Sequence, residues 1–296
     1  MIPNVVVLLG IILVMIPVGF LAALVGIGGG VVVVPLLTVL FGVPIKEAVA
    51  VGIVTVVATG ITSASRYLEQ GLTNIRLGLF LNVTTTLGAI VGALTAVSFP
   101  SSALYLALSA VLFYVGCDQI LTSKAEAERI KSEGFKSVRE DSLASTLGLS
   151  NAYYDLAVNK EVVYKVTKSH LGLMASFMAG FFSGMLGIGG GVLKVPIMNQ
   201  IMNVPLKAAV ATSKFMIGIT ASTAALVYLR MGKVNTVLAT ATVLGISSGA
   251  FMGTKVMNRV GTEKLKAIFG SVLLVFGYLM LAKGVYQVMG VKLPGV

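Results

Sequence analysis

The chain alternates long apolar stretches with short polar connections, and this pattern divides it into ten apolar segments. Eight of them contain enough residues to cross a hydrocarbon core of ~30 Å as an α-helix rising about 1.5 Å per residue. The second and seventh are too short to cross as straight helices, so we predict half-helices there. The segments cover residues 5–25, 31–42, 47–66, 74–98, 101–122, 169–186, 192–203, 208–229, 235–257 and 262–289.

Each short segment follows a run of glycines and ends near a proline. The two runs, Gly26–Gly30 and Gly187–Gly191, have the same sequence, GIGGG. A shift of 161 positions aligns residues 26–92 with residues 187–253 without a gap, and 25 of the 67 aligned pairs are identical. Convergent glycine-rich membrane sequences would not keep a single register over this length. The chain therefore contains a predicted internal repeat.

The repeat also predicts how the two halves are oriented. Each copy contains five segments, an odd number, so the two copies begin on opposite sides of the membrane. Inverted repeats of this kind are common in secondary transporters, whose substrate site lies near the bilayer midplane between the halves. We predict a first transmembrane repeat over residues 1–122, an insert over 123–168 and a second repeat over 169–296.

The distribution of lysine and arginine predicts the topology. With the N-terminus outside, fifteen basic residues near segment ends or in the insert face the cytoplasm and five face outward. The positive-inside rule favours this orientation. Residues 1–4 lack the basic n-region of a cleavable signal peptide, so we read Val5 onward as the first helix. We predict a multi-pass protein of the cell membrane with both termini outside and a cytoplasmic insert.

Composition supports a membrane protein. Of the 296 residues, 56% are hydrophobic and 11% are charged, with a mean hydropathy of +0.97. Soluble domains contain about 25% charged residues. The net charge of +11 belongs mostly to the flanks of the apolar segments, and no basic patch with interleaved aromatic residues appears. We therefore expect the lipid bilayer and a small anion as partners, and no nucleic acid.

The insert contains the only clear strand pattern in the chain. Residues 153–158 and 161–166 predict a small β-hairpin joined by a two-residue turn at Asn159-Lys160. A lone hairpin is marginally stable in water, so it should pack on the helices or pair with another chain, for example in a homodimer. The alternative is that the insert merely connects the two halves.

Enzyme chemistry has no support in the sequence. The single histidine, His170, and the single cysteine, Cys117, do not form a cluster with metal-ligand spacing. The glycine runs lack the lysine of a phosphate-binding loop. They also lack the last glycine of a dinucleotide-binding motif, because Val31 and Val192 occupy its position. We expect no catalytic residue, no metal and no cofactor.

The glycine runs instead predict a binding site for an anion. Consecutive glycines between two helices let the backbone break, and its free N–H groups survive in a bilayer only beside a cavity or a ligand. The following helix directs the positive end of its dipole at the same point. The alternative is that the glycines only permit close helix packing. The predicted backbone donors are Gly28, Gly29, Gly30, Gly189, Gly190 and Gly191.

Two lysines inside apolar segments indicate the sign of the ligand. Lys194 lies three residues beyond Gly191, and Lys214 lies inside the eighth segment. A lysine at the centre of a membrane helix costs about 2.5 to 3.5 kcal/mol on insertion scales. Their repeat partners are apolar, so the fold does not require charge at these positions. A bound anion would offset the cost, whereas the alternative is that the side chains extend to the membrane surface.

Polar and acidic residues complete the prediction. Thr212, Ser213, Thr55 and Asn82 are secondary candidates that would orient the oxygens of a ligand. The acidic residues outside the insert all lie near segment ends, so no deep carboxylate is available for a coupling proton or sodium ion. An inside-negative potential drives anions outward, and export therefore needs no coupling ion.

The sequences GIGGGVVVVP at residues 26–35 and GIGGGVLKVP at residues 187–196 resemble those of the sulfite exporter TauE/SafE family of membrane permeases. The resemblance covers both halves and excludes the insert. It implies transport, usually export, of sulfur-containing anions such as sulfite, sulfoacetate or other organosulfonates. The family's members handle different anions, so the resemblance does not select among them.

We therefore predict an all-α integral membrane protein with two inverted repeats of five hydrophobic segments, each with a glycine-broken half-helix, plus a small cytoplasmic insert. Its predicted function is the export of a small sulfur-containing anion by alternating access. One alternative is an anion channel with a continuous pore. Another is a membrane scaffold that transports nothing, in which the glycines only pack helices.

Overall fold

The computed structural model describes residues 5–25, 29–121, 135, 138–155, 159–256 and 262–294, with the backbone alone at 24–25, 254–256 and 262–267. These residues form α1 (Val5–Val25), α2 (Gly30–Leu40), α3 (Ile45–Glu69), α4 (Ile75–Ser98), α5 (Ser101–Leu121), α6 (Ser142–Leu147), β1 (Asn151–Asp155), β2 (Lys160–Tyr164), α7 (Ser169–Leu186), α8 (Gly191–Pro196), α9 (Leu206–Arg230), α10 (Thr236–Val256) and α11 (Thr262–Met289). A π-helical turn, Ile197–Ile201, continues α8.

The structure confirms the predicted membrane helices. Among the described residues, eight helices are long and apolar enough to cross a bilayer. They match the eight long segments of the hydropathy pattern, and several bounds agree to the residue. The two short segments are also helical, α2 in the first half and α8 with its π turn in the second. Membrane helices are predictable here because apolar side chains cover every face of the helix over many turns. A helix of that composition is stable in a lipid bilayer and not in water.

The packing of the helices follows the sequence repeat. The most extensive contacts join α4 to α7, α1 to α10, α5 to α11 and α3 to α9. The repeat relates α1 to α7, α3 to α9, α4 to α10 and α5 to α11. If each helix is replaced by its repeat partner, the α4–α7 pair becomes the α10–α1 pair. The α5–α11 and α3–α9 pairs each become themselves, because their two members are repeat partners. The two repeats are packed against each other throughout, so that each half completes the core of the other.

Glycines allow the closest of these helix pairs to approach. A Cβ atom at Gly88 on α4 would overlap the carbonyl oxygen of Phe177 on α7. One at Gly249 on α10, the repeat partner of Gly88, would overlap the carbonyl oxygen of Ile16 on α1. Small residues at such contacts let membrane helices pack through their backbones. Glycine therefore permits close helix packing at equivalent positions in both halves.

The hairpin lies in the insert, but its connection differs from the prediction. Strand β1 pairs antiparallel with β2 so that Asn151 faces Tyr164 and Asp155 faces Lys160. The connection is therefore residues 156–159, and the predicted two-residue turn at Asn159-Lys160 is wrong. This register places Tyr153, Val162 and Tyr164 on one buried face. Asn159 still lies in the connection, where it adopts a positive φ of 50°, a turn conformation that asparagine tolerates.

The insert packs on the membrane helices through a second hydrophobic cluster. Tyr153 and Tyr164 of the hairpin join a core with Leu77 on α4 and with Met198 and Met202 at the end of the short helix. An ion pair of 2.6 Å between the exposed Lys207 ammonium and the buried Asp155 carboxylate adds to this contact. The insert thus covers the end of the second half-helix.

One residue joins the insert to the second repeat by hydrogen bonds. The side-chain amide of Asn74, at the start of α4, donates to the carbonyl oxygen of Leu149 at 2.7 Å and to the Tyr164 hydroxyl at 3.0 Å. The Asn74 backbone N–H donates to Thr212 Oγ1 on α9 at 3.0 Å. The side chains of Asn74 and Thr212 therefore link the insert to α9, the helix that carries Lys214.

We expect this docking to weaken in alkaline solution. Burial raises the pKa of the Tyr164 phenol to about 12, although the hydrogen bond with Asn74 opposes part of the shift. An undocked tyrosine ionises at about pH 10. The stabilisation is therefore complete below pH 10 and is lost as the pH rises from 10 through about 12. Proteinase K should cleave the insert faster at pH 11.5 than at pH 9.

The Tyr164→Phe variant is the matched control, because it keeps the ring and removes the titrating group. Its cleavage should change less between the two pH values than that of the wild-type protein. An equal change in both proteins would show that other groups release the insert.

Candidate functional site

The two glycine runs meet at the centre of the helical core. A Cβ atom at Gly30 would lie 2.6 Å from the carbonyl oxygen of Gly187 and 3.3 Å from the carbonyl carbon of Ile188. One at Gly52 on α3 would lie 3.1 Å from the same oxygen of Gly187. Only glycine fits at such distances, so the starts of both half-helices converge on one region.

The second glycine run breaks the backbone sharply. Gly187, Gly189 and Gly190 have positive φ values of 70°, 78° and 66°. Two serines lie beside this break. Ser183 Oγ is 3.0 Å from the position of a Cβ at Gly190, and Ser213 Oγ is 3.2 Å from that at Gly191. The break between α7 and α8 is therefore lined by hydroxyl groups from α7 and α9.

Both serine hydroxyls are buried and have no hydrogen-bond partner in the described part of the chain. Ser183 is 0% exposed and Ser213 is 1% exposed. Buried polar groups are nearly always hydrogen-bonded, and an exception requires an explanation. Two such exceptions lie beside this one backbone break.

Lys214 follows Ser213 and is buried inside the protein, with 2% of its surface exposed. Among the described residues, its ammonium group has no hydrogen-bond or ion-pair partner. Ile217, three residues further on and thus on the same face of α9, contacts both Gly60 and Gly191. The charge therefore lies on α9, the helix whose Ser213 and Ile217 side chains contact the glycine break.

Lys194 is fully buried, with 0% of its surface exposed, and it has a different environment. Its ammonium group donates to Thr220 Oγ1 at 2.9 Å. The Thr220 hydroxyl in turn lies 2.8 Å from Asn82 Oδ1 on α4. The Asn82 Nδ2 atom is buried and has no partner within the described ranges. These contacts link α8, α9 and α4. They end at the Asn82 amide, whose NH₂ group has no described hydrogen-bond acceptor.

The first glycine run has an apolar environment. Gly28 lies outside the described residues. Gly29 and Gly30 are buried, and Cβ atoms there would overlap Ile246 and Val56 side chains. The first repeat has Val33 and Ile53 where the second has Lys194 and Lys214. Among the described residues, buried polar atoms without partners occur in both repeats, Asn82 Nδ2 in the first and Ser183 Oγ and Ser213 Oγ in the second among them.

Two of the secondary candidates are committed to other contacts. Thr55 Oγ1 donates to the Val51 carbonyl oxygen of its own helix at 2.8 Å. Thr212 Oγ1 accepts from the Asn74 backbone N–H at 3.0 Å. Ser213 and Asn82 instead carry buried atoms without partners. The structure therefore places Ser213 beside Gly191, links Lys194 to Asn82 through Thr220, buries Lys214 next to Ser213 on α9, and gives Thr55 and Thr212 structural contacts.

Sequence reasoning missed Ser183, and it placed Thr220 only among the threonines at helical spacing that could line a site. The available signal for Ser183 was its spacing, because Ser176 and Ser183 lie seven residues apart and therefore on one face of α7. Thr220 carried a weaker signal, since threonine in a membrane helix usually bonds to its own backbone. Its contact with Lys194 depends on how α8 and α9 pack.

Comparison with known proteins agrees with the fold. The family model for "Sulfite exporter TauE/SafE" matches residues 11–280. The probable membrane transporter protein YunE of Bacillus subtilis is 27% identical over 276 residues, which cover 91% of this chain and 95% of that protein. A probable membrane transporter protein of Methanocaldococcus jannaschii is 25% identical over 278 residues, or 89% of this chain and 91% of that protein.

A shorter match is found in a plant protein. The Sulfite exporter TauE/SafE family protein 5 of Arabidopsis thaliana is 41% identical over 61 residues, which cover 21% of this chain and 13% of that protein. No solved structure matches the chain. Because the family model covers most of the sequence, the resemblance predicted from the two GIGGG motifs is confirmed, and the chain belongs to the TauE/SafE sulfite exporter family of membrane transporters and is not an enzyme.

Proposed function

We propose that this transporter exports a small sulfur-containing oxyanion, either sulfite or an organosulfonate such as sulfoacetate, across the cell membrane by alternating access. The proposed site comprises the break at Gly189–Gly191, the Lys214 ammonium group, and the free donors of Ser213, Ser183 and Asn82. Membership of the family supports transport, and the site supports an anion as its substrate.

The observation that carries the proposal is the isolated charge of Lys214. A charged group inside a protein is costly unless a counter-charge or several hydrogen bonds compensate it. No described residue supplies either to the Lys214 ammonium group, which is 2% exposed. An anion bound beside Ser213 would supply the missing counter-charge and would accept hydrogen bonds from the neighbouring donors.

The chemistry of the donors favours an oxyanion. An ammonium group and an amide NH₂ group only donate hydrogen bonds, and a serine hydroxyl can donate as well. A sulfite or sulfonate group presents several oxygens that only accept. Such a group can accept from Lys214, Ser213, Ser183 and Asn82 at the same time. A spherical halide would satisfy fewer of these donors.

Alternating access requires the site to open to each side in turn. We propose that the two repeats are inverted, with both termini outside and the insert in the cytoplasm. The helix pairs, which exchange with one another when the halves are exchanged, support a two-fold relation between the repeats, and the odd number of segments in each copy supports their inversion. The insert contacts Asn74, Met202 and Lys207, and the predicted topology places all three on the cytoplasmic side.

Flux measurements test the function. Purified protein in liposomes should carry sulfite toward the positive side of an imposed potential, because the membrane potential contributes about 2.3 kcal/mol per charge per 100 mV. The flux should saturate with sulfite concentration, and Lys214→Met should abolish it. Lys233→Met is the matched control, because Lys233 is exposed at the end of α9 and should not affect the flux.

Other results would contradict the proposal. Flux that rises without saturation would identify a channel, and absent flux together with absent binding would identify a scaffold. Flux that ignores voltage but follows a pH gradient would show that a proton, rather than the membrane potential, drives export.

A further inference from the structure

The chain of contacts from Lys194 has a defined direction. An ammonium group can only donate, so Thr220 Oγ1 must accept from Lys194 across their 2.9 Å contact. The threonine proton is then available to an acceptor, and Asn82 Oδ1 lies 2.8 Å away. The Met216 carbonyl oxygen, at 3.0 Å, is the other acceptor within reach. The Asn82 oxygen also accepts a longer hydrogen bond from Thr85 Oγ1 at 3.3 Å, although Thr85 lies closer to the Leu81 carbonyl oxygen, at 2.7 Å. With its oxygen facing these hydroxyls, the Asn82 amide directs its NH₂ group elsewhere.

The first repeat provides an internal comparison. Thr59 is the repeat partner of Thr220, and Val33 is the repeat partner of Lys194. Without a lysine nearby, the Thr59 hydroxyl lies 3.2 Å from the carbonyl oxygens of Thr55 and Val56 on its own helix. The repeat partner of Asn82 is Val243, so Thr59 has neither a lysine nor an amide at the equivalent positions. The link between helices therefore occurs once, between Asn82 in the first repeat and Lys194 and Thr220 in the second.

We propose that Lys194 is a positioning residue. Acting through Thr220, it holds the Asn82 side chain so that the amide NH₂ group, and not the amide oxygen, contacts the transported oxyanion. This inference rests on the proposed function, and it gives the two buried lysines different roles. Lys214 supplies charge directly to the ligand, whereas Lys194 fixes a neutral donor.

The orphaned amide supports this assignment. Asn82 is 5% exposed, and its Nδ2 atom has no hydrogen-bond partner among the described residues. A buried N–H group without an acceptor is unfavourable, and a ligand that accepts from it relieves the loss. If the amide were rotated by 180°, its oxygen would face the site and would repel an anion. Holding the amide in one orientation therefore selects for ligands with accepting oxygens.

The test uses two substitutions at Thr220 in the full chain. Thr220→Val keeps the shape but removes the hydroxyl, and Thr220→Ser restores a hydroxyl. Titration of purified protein should show that Thr220→Val weakens sulfite binding by about tenfold, as expected for one hydrogen bond to a charged ligand. Thr220→Ser should bind sulfite within about twofold of the wild-type protein. Chloride binding should change less than sulfite binding, because a halide depends less on the oriented amide.

A double-mutant cycle separates a positioning role from direct contact. If Lys194 acts through Asn82, Lys194→Met and Asn82→Leu together should weaken sulfite binding no more than the larger single change. Additive losses would show that Lys194 contacts the anion itself and would overturn the inference. So would a Thr220→Val variant that binds sulfite like the wild-type protein. Absence of anion binding by the wild-type protein would instead refute the proposed function, and this inference with it.

Discussion

Lys214→Met is expected to weaken sulfite binding by more than a hundredfold and, at the same time, to stabilise the empty protein. Methionine has a similar length and removes only the charge and the donors. Loss of one partner from a buried charge pair typically costs about 2 to 5 kcal/mol, and each 1.4 kcal/mol is about a tenfold change in affinity. In the empty protein, however, the ammonium group has no described partner, so its removal relieves an uncompensated charge.

The opposite signs of these two effects make the prediction specific. Binding can be followed by calorimetric titration, and stability by the midpoint of thermal unfolding in detergent without added anion. Taurine, a zwitterion, should lose much less affinity than sulfite. Lys233→Met should leave both quantities unchanged, since Lys233 is exposed. A Lys214→Met variant that unfolds at a lower temperature and still binds sulfite would show that the lysine has a structural role.

Hydropathy and the internal repeat predicted the helices well. Segment length follows directly from membrane thickness, and the 161-residue shift identifies related positions from the sequence alone. Lys194 and Lys214 were recognisable for a related reason, because a charge in an apolar segment is costly enough to need an explanation. In the structure both side chains are buried and do not extend to the surface.

Contacts between distant segments could not be predicted in this way. The bond between Thr220 and Asn82 joins residues 138 positions apart, and it depends on the rotation of α4 and α9 about their axes. The sequence shows which residues can form hydrogen bonds, but several partners compete for each of them. The contact between the hairpin and Asn74 could not be predicted either, because the insert has no repeat partner in the sequence with which it can be compared.

The two halves share a scaffold but differ in polarity. Both contain the GIGGG motif before a short helix and the same close helix packing. The buried lysines occur in one half alone, at positions where the other half has Val33 and Ile53. A transporter of this design would bind one anion per cycle at an asymmetric site. The first half would then contribute the Asn82 amide and otherwise form the apolar surface against which the site closes.

Gly187→Ala is expected to destabilise the protein by about 3 to 5 kcal/mol, far more than alanine does at most glycines. Gly187 ends α7 with a φ of 70°, a conformation that costs an alanine about 1 to 2 kcal/mol. A Cβ atom there would also overlap the carbonyl oxygen of Val49 on α3. The backbone of α3 cannot move without disturbing Gly30 and Gly52, which pack against the same turn.

Gly232→Ala separates the two causes. Gly232 also follows a helix and has a φ of 63°, but a Cβ atom there would meet nothing within 4 Å. The Gly232→Ala variant should therefore lose only the stability that a positive φ costs an alanine, about 1 to 2 kcal/mol of the free energy of unfolding. Thermal unfolding of both variants in detergent measures the difference, and sulfite titration shows whether the site survives. Equal unfolding midpoints would mean that α3 yields easily at Val49, in which case the junction of the two half-helices is soft enough to move during transport.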